Sequence, residues 1–239
     1  YTVIDCKGKF IYPSLIDIYT SYGLPEVERA RGGGFSGPEQ IEPKNKGAYN
    51  ANQAIRSHYN ASDEFTVNAK VAEEWRKLGF GTVLTFKADG LARGTSAVVA
   101  LGEQGENKAV IKSKAAANYS FVKGSSSQNY PSSMMGYVAV LRQTYLDAEW
   151  FGAQNPRPFT DQSLEAWIQN QKLPQIFDAA NWMGVLRADK IADEFGVRYI
   201  IKGGGDEYKR INDIKATGAS FIVPVDFPEA YDVEDPYDA

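Results

Sequence analysis

Side chains able to hold a catalytic metal or act as an activated nucleophile are scarce here. The chain has 239 residues, with one histidine, His58, and one cysteine, Cys6. A histidine-rich metal centre cannot be built from that inventory. A Ser–His–Asp arrangement would need His58, which lies in the polar stretch AIRSHYNAS and reads as an exposed loop residue. No G-x-S-x-G elbow accompanies it. Cys6 has no partner for an internal disulfide, and its strand-like setting reads as a small core position.

Carboxylates are the remaining route. Asp17 and Asp178 fall near the C-terminal ends of predicted parallel strands, the edge that carries ligands and catalysis in α/β folds. There an aspartate serves as base or metal ligand, or only hydrogen-bonds to neighbouring loops; Asp178 is the catalytic candidate. Lys87 and Lys202 end strands on the same face, as anion contacts or as partners of those aspartates. Of three glycine-rich loops, GLARGTS lacks the phosphate-loop lysine and precedes a strand, and GEQGENK is a polar turn. Gly203-Gly204-Gly205 follows a strand and opens a helix at Asp206, so the amides of Gly204 and Gly205 could meet an anion. A plain turn is the other reading. Two glycosylation sequons occur, at Asn60 and Asn118; the second falls inside a predicted strand and reads as coincidence.

Those residues need elements to position them. Residues 10–19 (FIYPSLIDIY) read as a buried strand, and 24–60, with Gly32-Gly33-Gly34, as a long irregular excursion. Phe65, Ala69, Ala72 and Trp75 share a helical face that Gly79 ends. Strands follow over 81–86, 95–101 and 108–122, then a helix over 132–151. The last third alternates helix 161–171, strand 174–179, a helix placing Ala188, Ile191, Ala192 and Phe195 together, strand 197–201, a short helix from Asp206 to Gly218, and strand 220–225. Such alternation implies parallel βα units, in an open doubly wound sheet or a closed barrel.

Composition limits the partners. A net charge of -4 gives no electrostatic reason for nucleic-acid binding, and no 18-residue apolar window suggests a membrane span. No signal-peptide pattern is visible. The strand-like start YTVID and the acidic stretch DVEDPYDA lead to the expectation that the chain is part of a longer protein. Its 14 tyrosines and 4 tryptophans admit a sugar- or peptide-binding module, although aromatics more often pack cores.

At 5–23 (DCKGKFIYPSLIDIYTSYG) the sequence resembles the amidohydrolase superfamily, especially its imidazolonepropionase-like branch. That branch pairs a D-x-x-G-K segment with a P-G-L-I-D strand ending in His-x-His. Here PSLID is followed by Tyr19-Thr20-Ser21. The resemblance continues at 174–201, where Asp178 and Ala180 stand at the first histidine's strand end and Gly203 at the second. It implies a TIM-type (β/α) barrel over 11–239, incomplete at about six of eight strands. Residues 1–10 would lead in from a β-sandwich outside this sequence. The family's zinc would find Tyr19, Ser21, Asp178, Ala180 and Gly203 in place of its ligands, so no metal is expected here. The implied role is a degenerate domain with a structural, pairing or ligand-binding function. Its partner would be the remainder of a parent protein or a second amidohydrolase-like unit, and by resemblance the setting is the bacterial envelope or periplasm. The alternative is an active hydrolase of amide or cyclic-amide C–N bonds.

Overall fold

A computed structural model describes residues 5–28, 40–44 and 46–225. The Gly32–Gly34 run, the strand-like first residues and the acidic last ones lie outside that set. The chain divides into two compact units. The first comprises Tyr1–Glu26, Asn60–Lys87 and Ser96–Ala115, and the second Val27–Tyr59, Ala88–Thr95 and Ala116–Ala239.

In the first unit, strand β1 (Leu15–Thr20) pairs parallel with β2 (Phe80–Thr85) across the short helices α1 (Ala61–Glu64) and α2 (Ala69–Lys77). Of the face predicted at Phe65–Trp75, Ala69, Ala72 and Trp75 lie on α2, which is capped by Asn68, whose side chain accepts from Val71 N–H; Phe65 follows α1 in extended conformation. Gly79 follows α2 at φ +93, in the left-handed region where glycine is favoured. β1 is not the buried strand expected. Ile11 is 80% exposed, and Leu15, Ile16 and Ile18 also face solvent. Tyr22, Phe65 and Trp75 cluster with one another, and Trp75 lies 6.0 Å from Phe80 at the start of β2. Residues 5–14 form no strand.

β2 pairs antiparallel with β3 (Ala92–Ala100), against the expectation of parallel units throughout. Only residues 86–91 separate the two strands, and a parallel return needs a crossover of a dozen residues or more. The helical turn α3 (Glu106–Ala109) leads into β4 (Val110–Ser120). β3 and β4 each have residues in both units. Within the first unit the hydrogen-bonded strand order is β1, β2, β3.

The second unit carries the expected rhythm. It contains α4 (Met134–Ala153), α5 (Gln162–Asn170), β5 (Gln175–Asp178), α6 (Trp182–Phe195), β6 (Tyr199–Lys202), a 3-10 turn (Glu207–Arg210), α7 (Ile211–Ala216) and β7 (Ser220–Ile222). β4, β5, β6 and β7 pair parallel in succession. The described residues hold seven strands, one of them antiparallel, where about six barrel strands were expected. Asp161 caps α5 and Gly196 ends α6 at the predicted limits, and Asn181 caps the start of α6.

The core of this unit is aromatic. Trp167 lies 5.3 Å from Tyr119 and 4.8 Å from Tyr145, and Tyr145 Oη meets Tyr199 Oη at 2.6 Å. Burial pushes the Tyr145 phenol up to about 12, and burial also raises Tyr119 and Tyr199 well above the ordinary phenol value.

Part of the supposed irregular excursion is also core, because Ala54, Ile55 and Ser57 are buried. The segment docks on the start of β3: Leu91 N–H donates to Ala54 C=O, Arg56 N–H to Ala92 C=O, and Thr95 N–H to Tyr59 C=O. Glycine permits this approach. A Cβ on Gly94, at φ +75, would sit 2.1 Å from Tyr59 O, and one on Gly90 would sit 2.6 Å from Ala54 O. Gly94→Ala is therefore expected to destabilise the chain by about 2 kcal/mol or more, read as a lower denaturant midpoint.

Candidate functional site

In the second unit the C-terminal ends of β5 and β6 bring charged groups together. Asp178 and Lys202 are register partners, each the last residue of its strand. The start of β3 lies beside the end of β4, since Ser120 N–H donates to Leu91 C=O. That placement delivers Arg93, 4% exposed, to Asp178. Arg93 Nη1 sits 3.0 Å from Asp178 Oδ2, and Lys202 Nζ 3.9 Å from Oδ1. The carboxylate predicted as the catalytic candidate is held between two cations.

The loops beyond these strands meet through glycine. A Cβ on Gly204 would lie 2.1 Å from Ala180 O. Gly204 and Gly205 donate their amides to Glu207, at 2.7 Å and 3.0 Å, so the chain's own carboxylate occupies this turn. Asp206 makes no cap bond to the helical turn after it, contrary to expectation. It accepts from Trp182 N–H at 2.7 Å instead and ties the two loops together.

The other predicted residues lie in the first unit. Asp17 is in the middle of β1 and accepts from the Tyr19 N–H at 2.9 Å. Tyr19 packs its ring 4.5 Å from that of Phe86, and Ser21 is exposed. Lys87 Nζ pairs with Glu64 at 2.8 Å. Among the described residues, no group of three or more His, Cys, Asp or Glu side chains could hold a metal ion. Asn118 of the second sequon is buried in β4, where its side-chain amide donates to Gly94 and Ala116 carbonyls.

Two polar clusters of the second unit have no counterpart in the sequence reading. In the first, Asp89, 4% exposed, accepts from Ser125 N–H at 2.7 Å and Ser125 Oγ at 2.9 Å. Arg56 Nη1 lies 3.0 Å from Asp89, and Arg56 Nη2 donates to Ser125 Oγ at 2.7 Å. A Cβ on Gly124 would come within 2.1 Å of Asp89 Oδ1. No motif announces this cluster, because its members come from three separate segments. Asp89→Asn, which strands the Arg56 charge, is expected to cost about 3 kcal/mol in denaturant unfolding.

In the second cluster His58 is half-buried, not the exposed loop residue expected. Its ring lies 4.4 Å from that of Tyr49, and Nδ1 meets Ser163 Oγ at 2.9 Å. Ser163 Oγ also accepts from Asn50 N–H at 3.1 Å. Asp161 touches only the amides of Ser163 and Leu164, so the three residues do not form a catalytic relay. Burial, aided by the Arg56 charge, lowers the His58 pKa below 6.5, so the unfolded chain binds the proton first as pH falls. Stability from this group is full above pH 6.5 and declines below it until the folded pKa is reached. Asp161, raised by burial, acts in the opposite sense from 3.8 upward. Subtracting the pH profile of His58→Gln from the wild-type one should therefore leave a stability difference that shrinks as pH drops below 6.5.

The crystal structure of an amidohydrolase from Thermotoga maritima MSB8 superposes with a TM-score of 0.69 at 22% sequence identity. The match covers 94% of this chain and 60% of that one. The fold is amidohydrolase-like. This chain spans 60% of the length of that amidohydrolase. Neither the family models nor the curated proteins give a match.

Proposed function

We propose that this chain is a degenerate, imidazolonepropionase-related amidohydrolase domain. In this reading its parallel strands form part of an incomplete TIM-type barrel, and its role in a larger protein is structural, pairing or ligand-binding rather than hydrolytic. One observation carries the reading: Asp178 is ion-paired with a buried arginine.

The donor set does not fit zinc. Catalytic zinc takes three protein ligands, most often imidazoles, and leaves one position open for water. Of the five positions implied by the resemblance, Ala180 and Gly203 offer no side-chain donor, and the Tyr19 ring packs on Phe86. Asp178 is the one carboxylate in the set, and Arg93 and Lys202 already neutralise it. A divalent ion at Asp178 would sit beside two fixed positive charges, a repulsion of several kcal/mol at protein-surface dielectric.

Incubation with excess zinc, desalting and elemental analysis should leave well under one equivalent per chain. One bound equivalent, or C–N hydrolase activity lost in Asp178→Ala, would sink the proposal in favour of a working hydrolase.

A further inference from the structure

Helix α4 is apolar on two sides. Val140, Leu141, Tyr145, Ala148 and Phe151 face the core of the second unit. On the opposite side, Met135 is 82% exposed, Leu146 49% and Trp150 52%. Phe159, 50% exposed, stacks 6.3 Å from Trp150 and extends the patch. A helix covering one core should turn a polar face to water, and contiguous exposed apolar side chains mark contact surfaces.

The order of side chains along this face says what covers it. Outward from Leu146, Arg142 is matched by Trp150, Gln143 by Glu149, and Ala139 by Ala153, all of them exposed. A second α4 running antiparallel about a two-fold axis at Leu146 would meet each of these with its complement. Arg142 would lie on the partner's indole, Gln143 would donate to the partner's carboxylate, and the alanines would let the helix ends approach. Arg142 is already oriented for this, because its Nε and Nη2 grip Glu194 at 2.7 Å and 2.6 Å and hold the guanidinium plane fixed. Gln143 donates to Asp147 at 2.7 Å and keeps a second amide proton for the partner. A parallel copy would set Arg142 against Arg142 and Glu149 against Glu149, so charge selects the antiparallel arrangement.

We propose that this chain self-associates as a two-fold dimer through the outer face of α4, antiparallel, with Leu146 on the axis. With Leu146 on the axis the two helices overlap over residues 139–153, about 22 Å, which gives a contact at the small end of specific interfaces, so the dimer dissociates on dilution.

Sedimentation velocity over a wide concentration range tests the contact. The wild-type chain should pass from a 26.4 kDa species to one of twice that mass as concentration rises. Leu146→Glu should stay at the lower mass throughout, with unchanged far-UV circular dichroism. A wild-type monomer at every concentration, or a Leu146→Glu variant that dimerises equally, would overturn the proposal. Geometry is tested separately in a Cys6→Ser background. Leu146→Cys on the axis should form a disulfide with its own copy under mild oxidation. Met135→Cys should not, because antiparallel packing holds the two copies of that position about 33 Å apart. Equal cross-linking at both positions, or none at 146, would count decisively against it.

Discussion

The architecture of the second unit depends on one buried carboxylate. Asp89 accepts two hydrogen bonds from Ser125 and faces Arg56, so it fixes three stretches that are distant in sequence. A buried charge is tolerated only when its lone pairs are met, and here Ser125 and Arg56 supply the donors. Gly124 and Gly90 border this carboxylate, and neither site has room for a Cβ. The start of β3 is held against residues 54–59 as a result, and Arg93 is carried to the end of β5.

From that constraint the character of the candidate site follows. Arg93 reaches Asp178 from a buried position, so it acts as a permanent counter-charge. The neighbouring loop behaves alike, because Glu207 fills the amides that an external anion would need. Both features describe a strand edge whose charges are satisfied internally.

The aromatic content finds its use in packing. Tyr119, Tyr145, Tyr199 and Trp167 form a buried cluster, with phenol hydroxyls paired to one another or to Gln171 and Gln175. At the surface, Trp150 and Phe159 lie beside α4, and Tyr208 is exposed in the 3-10 turn that follows β6.

Sequence alone was informative wherever the signal is local. The helix limits at Asp161 and Gly196, the alternation from α5 to β7, and the scarcity of metal-binding side chains can all be read from the chain without its fold. The amidohydrolase-like fold was also legible, through PSLID and the order of elements at 174–201. Other features arise from partners far apart in the chain. The antiparallel turn between β2 and β3 hid behind strand propensity, which carries no direction, and the half-burial of His58 depends on Tyr49 and Ser163. Arg93 drew no notice because it fell in the GLARGTS loop ahead of the predicted strand, and its carboxylate partner is 85 residues away. Chemical inventory belongs to the sequence, but which charge faces which is decided by the folded chain, because a salt bridge depends on distance in space.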